Sequence, residues 1–190
     1  MIQEYRFWMK GRLKLSKAQE ASIDNQIGIC RLIYNLAKET KEYAYKAHGV
    51  RLSCYDLINQ LPELKREFKW MYAVNHGALQ EAIERLDKSY RKFFKGSGFP
   101  KWAKKDKYNS ITFKRIKFSS NENIKLPTFG TVSIFKDRPI EGELRTATII
   151  KENNKYFICI VTKQERKEQL VPNENQVGID MGISFFATLS

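Results

Sequence analysis

Apolar and polar residues alternate through Tyr5-Arg6-Phe7-Trp8-Met9-Lys10, with Tyr5, Phe7 and Met9 on one side and Arg6, Trp8 and Lys10 on the other. A period of two predicts a strand with one buried face. The period then lengthens. Ser16 and Gln19 form the Ser-x-x-Gln signature of a capping box, and Ile23, Ile27, Cys30, Tyr34 and Ala37 follow at steps of four and three residues. These spacings predict a long helix with one packed face, stopped at His48-Gly49. A shorter helix is expected from Ser53, a capping residue, to Leu61, with Pro62 as its stop because proline cannot donate to the helical ladder. After a linker containing Trp70, Asn75 caps a third helix in which Leu79, Ile83, Leu86, Tyr90 and Phe93 repeat the spacing, and Gly96 ends it. The three together predict a helical bundle from about residue 17 to 95.

Beyond Gly96-Ser97-Gly98-Phe99-Pro100 the text becomes that of short strands: Ile111–Phe113, Ile124–Leu126, Thr131–Phe135, Thr146–Ile150 and Tyr156–Thr162. Asn153-Asn154 between the last two is a hairpin signal, since asparagine tolerates positive φ. Short strands with Gly and Pro at the corners predict a small antiparallel barrel, completed by the N-terminal strand and carrying the helices as an insertion. A polar stretch, Gln164 to Gln176 with Pro172, reads as a linker. The final run, Val177 to Ser190, reads as strand, tight turn at Gly182, strand. It carries one carboxylate, Asp180. Desolvating a lone carboxylate is costly without a cation or hydrogen bonds, so Asp180 is a candidate metal ligand; the alternative is a strand-end Asp accepting backbone N–H bonds in the Met181-Gly182 turn.

Composition changes this picture in one respect. Hydrophobic residues at 42% suffice for a core. No run approaches the ~18 apolar residues of a membrane span, and the N-terminus lacks a basic then apolar leader, so a soluble, cytoplasmic protein without a membrane partner is expected. The three cysteines, Cys30, Cys54 and Cys159, offer neither a disulfide framework nor a zinc site and read as reduced, mostly buried thiols. His48 and His76 read as polar surface residues. The informative number is the net charge of +13, which invites a polyanionic partner. Between Arg85 and Lys117 stand twelve basic residues against Asp87 and Asp106, a net +10. Here Arg91, Lys92, Lys95, Lys101, Lys104, Lys105 and Lys107 are candidate phosphate contacts, and bases can stack on Trp102, Tyr108 or Phe113. The alternative is a solvated basic loop whose aromatics pack back on the bundle.

The order of the pieces resembles the N-terminal half of the TnpB (OrfB) proteins of bacterial insertion sequences, RNA-guided DNA nucleases encoded by transposons. The resemblance rests on Tyr5-Arg6-Phe7 with Ser16-Lys17-Ala18-Gln19, Cys30 to Asn35, Ala78-Leu79-Gln80, Arg85-Leu86-Asp87, Phe93-Phe94, Gly98 to Lys101, Ile124 to Pro127, and Gly178 to Gly182 with Phe186-Ala187-Thr188. It implies an α+β fold: a wedge barrel of oligonucleotide-binding type at 1–15 and 108–163, an inserted helical recognition lobe with a basic tail at 16–107, a linker at 164–176, and the first strands of an incomplete RuvC-like nuclease domain at 177–190. It implies guide RNA and double-stranded target DNA as partners, with a short DNA motif read near Tyr55, His76 and Gln80 and contacted by Lys114 and Arg115. Gln80 can pair with adenine in the major groove or be bonded within the bundle. It makes Asp180 the first catalytic carboxylate, a ligand of Mg²⁺.

Two departures stand out. Leu15 occupies a position where the family often has proline. The later Glu, the second Asp and the zinc ribbon are not among these residues, and two-metal cleavage needs several carboxylates to hold two Mg²⁺ about 4 Å apart. The expectation is therefore a nucleic-acid-binding chain that is inactive as a nuclease alone, without stably bound Mg²⁺ or zinc. Two other readings stand beside it: a non-catalytic DNA- or RNA-binding regulator working at this length, and an actin-like ATPase, whose phosphate loop also reads Gly-Ile-Asp-x-Gly. Ile183 and the position of the motif at the chain's end oppose the last.

Overall fold

The structure, a computed structural model, describes residues 2–114, 116–118, 123–135, 140, 142–167, 179–180 and 188–189. Strand β1 (Ile2–Lys14) leads directly into α1 (Lys17–His48). The expected capping box is present: Gln19 N–H donates to Ser16 Oγ at 3.2 Å, and Ser16 N–H donates to the Gln19 side chain at 3.0 Å. Gly49 closes the helix in the left-handed region at φ 68, where a Cβ would be strained. Helix α2 (Cys54–Glu67) starts with a second capping box, Ser53 with Asp56. Pro62 does not stop it. The helix continues through Pro62 because Leu57 and Leu61 before it and Lys65 after it lie on one buried face. That burial offsets the roughly 3 kcal/mol an interior proline costs. The stretch around Trp70, expected to be a linker, is a short 3-10 helix, Lys69–Ala73, that buries Met71. Helix α3 (His76–Phe94) follows, its N-cap Asn75 accepting from Gly77 N–H at 2.9 Å; Gly96 lies just beyond its end at φ 94.

Six described strands come next before the chain's last segment: β2 (Ser110–Lys114), β3 (Lys117–Phe118), β4 (Asn123–Leu126), β5 (Gly130–Phe135), β6 (Glu143–Glu152) and β7 (Lys155–Lys167). With β1 they form one sheet in the order β2-β6-β7-β1-β5-β4-β3. The sheet is a curled antiparallel half-barrel, and the fold class is α+β with an inserted three-helix bundle. The expected barrel is thus open among the described residues, with β2 and β3 at its ends. The N-terminal strand does not close the sheet; it lies in the middle and joins the two halves, with Leu13 opposite Ile134. Asn153 and Asn154 make the turn between β6 and β7 at φ 48 and 58, the two positive angles of a type I′ turn. Strand β7 runs to Lys167, four residues into the stretch expected to be a linker.

One apolar core joins bundle and sheet. Ile23, Leu79 and Leu86 from the helices and Phe113, Ile149 and Ile158 from the strands belong to the same buried cluster. Side-chain bonds lock the two layers: Gln26, buried on α1, donates to Thr128 Oγ1 at 2.9 Å, and Asp24 accepts from Lys151 and from the Tyr156 hydroxyl. The chain divides into two compact units. Arg6–Gln164 holds the helices and most of the sheet; Met1–Tyr5 with Glu165–Ser190 holds β8 (Ile179–Asp180) paired antiparallel with β9 (Thr188–Leu189). The side chains of the alternating run from Tyr5 to Met9, and residues 181–187 with the turn expected at Gly182, lie outside the described residues.

The crossing of β1 and β5 is tight at Gly11. A Cβ there would lie 2.7 Å from Ile134 Cγ2 and 2.9 Å from the Phe135 carbonyl oxygen. Since backbone cannot yield cheaply, Gly11→Ala is expected to destabilise the protein by about 1–3 kcal/mol, read from the midpoint of urea unfolding. A variant as stable as the parent would show that the strands separate freely at this point.

Candidate nucleic-acid interface

The inward face of α3 is apolar, with Leu79, Ile83 and Leu86 buried, so its charged residues turn outward, and several of them meet partners of their own. Arg85 bonds Ser110 Oγ at 3.2 Å and lies 4.9 Å from the Tyr108 ring centroid. Lys88 pairs with Glu81, Arg91 with Asp87 at 2.7 Å, and Lys114 with both Glu81 and Glu84. Those acids hold the Lys114 ammonium above its usual range despite burial, and its charge is largely spent within the protein. Six other lysines differ. Lys92, Lys95, Lys101, Lys104, Lys105 and Lys107 are exposed and have no ion-pair partner among the described residues. Unneutralised, they repel one another and attract phosphate.

The loop carrying four of these lysines is anchored to α1. Asn35 makes a two-way clamp, donating to the Ala103 carbonyl at 3.1 Å and accepting from Ala103 N–H at 2.8 Å; the Tyr34 hydroxyl donates to the Lys101 carbonyl. Lys38, only 2% exposed, pairs with Glu42 and places its ammonium 4.2 Å from the Trp102 ring centroid. One face of Trp102 is thereby covered, while the residue is 49% exposed overall. The arrangement is a fixed loop with outward lysines and one partly open indole, which can hold a phosphate chain and stack a base.

Two of the aromatics expected to stack do not face solvent. Tyr108 is 7% exposed, 5.9 Å centroid to centroid from Tyr34 and beneath Arg85, and burial raises its hydroxyl pKa. Phe113 is fully buried and meets Phe129 edge-on. Both are core residues, because β2, with the chain leading into it, packs beneath α1 and α3. The residues that position the loop, Asn35 and Lys38, carry no such role when the sequence is read alone, although Asn35 stands in a stretch that carries the resemblance. The available signal was Asn35, a polar residue beside the apolar stripe of α1.

The expected DNA readers are only partly brought together. His76 and Gln80 are one turn apart on α3, with Gln80 Nε2 and His76 Nε2 at 3.2 Å. Burial first, and the Lys65 charge second, hold the His76 imidazole below its usual range, which favours its neutral form. Tyr55, 77% exposed, stands at the other end of α2 from Lys65, about 15 Å along the helix. Arg115 lies outside the described residues. Asp180 is paired with Thr188 in β8–β9, but its side chain lies outside the described residues. Among the described residues no group of three or more His, Cys, Asp or Glu could hold a metal ion. The cysteines are free, and burial raises the Cys30 thiol to about 12, which removes it as a nucleophile. No helix among the described residues is long and apolar enough to cross a membrane.

Residues 1–50 match the family HTH_OrfB_IS605, described as a helix-turn-helix domain. In this chain that stretch comprises one strand and one helix with its cap, and the second helix begins only at Cys54. The whole chain is 25% identical over 194 residues to the "Putative RNA-guided DNA endonuclease InsQ" of Escherichia coli (strain K12), covering 47% of that protein. It is 28% identical over 202 residues to a "Putative RNA-guided DNA endonuclease" of Streptomyces pristinaespiralis, covering 49% of it. The chain thus spans about half the length of these curated relatives.

Proposed function

We infer that this chain, a homologue of the TnpB/OrfB-family RNA-guided DNA endonucleases, binds guide RNA and target DNA for such a nuclease. The observation that carries the reading is the set of six exposed lysines without an ion-pair partner among the described residues, four of them on a loop held by Asn35 beside the half-open Trp102. A polyanion is the partner that such a surface fits, and irregular or single-stranded RNA also uses the indole. Residues 1–15 and 108–163 would act as the wedge and 16–107 as the recognition lobe, with the strands at 177–190 contributing to a RuvC-like domain in which Asp180 is a metal-binding carboxylate. Mg²⁺ would serve cleavage there by charge stabilisation and by activating water. The described residues do not supply the several carboxylates such a site needs, so no cleavage step is assigned to them.

Binding governed by phosphate contacts weakens steeply with salt. With about six contacts, affinity for a structured RNA should fall on the order of a thousandfold between ~50 and ~200 mM salt. Fluorescence anisotropy titrations would read this, and salt-independent binding would overturn the reading.

For target DNA, Gln80 is the proposed base reader and His76 its orienting neighbour. The His76 ring nitrogen 3.2 Å from Gln80 Nε2 can hold the Gln80 amide in place. Gln80→Ala should then weaken binding by ~1–3 kcal/mol on DNA carrying the preferred motif and little elsewhere. An equal loss on every sequence would leave Gln80 a positioning residue.

A further inference from the structure

We propose that the cleft between the C-terminal halves of α1 and α3 receives one unpaired nucleotide of the bound nucleic acid, its base among the aromatic side chains and its phosphate at Arg51 and Lys46. This rests on the nucleic-acid reading of the neighbouring loop. The cleft has a volume of about 790 Å³ and is lined by Tyr45, Tyr90, Phe93, Phe94 and Phe99, a size and character suited to a small, flat ligand. Its back wall is joined by ring contacts and a hydrogen bond. Phe99 meets Tyr90 edge-on at 5.7 Å and Phe93 edge-on at 5.2 Å, and the Tyr90 hydroxyl donates to Glu42 at 3.4 Å. Its front is open, with Phe94 80% exposed at the end of α3.

Charge selects the occupant. The two acids lining the cleft are already matched, Glu42 by Lys38 and Asp87 by Arg91. Lys46 and Arg51 are exposed and have no ion-pair partner among the described residues; the Arg51 guanidinium sits 5.9 Å from the Tyr45 ring centroid. An apolar slot with a cationic rim accepts a flat ring joined to an anion. The slot is also continuous with the polyanion track, since Lys92 and Lys95 flank Phe93 and Phe94, and Phe99 lies in the same loop as Lys101. A chain held by Lys92 and Lys95 is held by the immediate neighbours of two aromatics that line the cleft.

The test compares a fully paired RNA hairpin, its two strands joined by a non-nucleotide ethylene-glycol linker in place of a loop, with the same hairpin carrying one bulged 2-aminopurine, each titrated at low salt, with DNA versions as parallel arms. The bulged hairpin should bind about tenfold more tightly, within the range that stacking of one base contributes, and its 2-aminopurine fluorescence should be quenched. Phe94→Ala and Arg51→Gln, both at exposed positions, should reduce the preference to less than twofold and leave affinity for the paired hairpin unchanged. The arm showing the preference identifies the nucleic acid. Equal affinity for the two hairpins in both arms, or a preference unchanged in Phe94→Ala, would overturn this proposal alone. No binding of any hairpin would overturn the nucleic-acid reading and this proposal with it.

Discussion

Changing Lys101, Lys104, Lys105 and Lys107 together to alanine is expected to lower RNA affinity on the order of a hundredfold to a thousandfold at ~0.1 M salt. Each phosphate that a lysine neutralises releases condensed counterion, and each lost contact should reduce the slope of log affinity against log salt by roughly 0.7–0.9. The fold should not change. The four side chains are exposed and make no ion pair among the described residues, while the loop is held by backbone groups: Asn35 grips Ala103, and the Lys104 carbonyl accepts from Lys107 N–H and Tyr108 N–H. The result to look for is an unchanged thermal transition with a shallower salt slope. A full slope in the quadruple variant would place the polyanion elsewhere on the chain.

A second large effect is expected at Phe113, in the opposite sense. Its ring is fully buried beneath the helices and meets Phe129 edge-on at 5.7 Å. Phe113→Ala should therefore destabilise the protein by about 3–5 kcal/mol, the usual result of emptying an aromatic site in a packed core. Domains of this size hold only about 5–15 kcal/mol in all, so the variant should unfold at a much lower urea concentration. What remains folded should bind RNA as the parent does. Unchanged stability with weakened binding would return Phe113 to the role of stacking platform. Trp102→Ala should behave the other way, because half of the indole is open: weaker binding by ~1–3 kcal/mol with a smaller change in stability.

The elements written in strong local signals were legible from the chain alone. Ser16 with Gln19, Asn75, Gly49 and the Asn153-Asn154 pair each determine a terminus or a turn through their own backbone chemistry, and each does so in the structure. Pro62 misled because a local rule was weighed without the buried face that continues past it. Tyr108 and Phe113 misled for a related reason. Aromatic residues among lysines look the same in sequence whether they stack on bases or fill the core, and only the packing of β2 under α1 and α3 separates Trp102 from the other two. The division of the basic residues into paired and unpaired was equally hidden, since the acids that neutralise Lys88, Arg91 and Lys114 are spaced by two helix turns, by one, or come from another element.

The central place of β1 has a consequence for synthesis of the protein. Its C-terminal end must pair with β5, as Lys14 does with Ser133, so a strand made first waits while the whole helical insertion emerges from the ribosome. Helices α1 to α3 depend on contacts closer in sequence and can pack against one another during that interval, whereas pairings across long stretches of chain form slowly. A nascent chain arrested before β5 would thus display a formed bundle and an unpaired strand edge, the kind of surface that holdase chaperones cover.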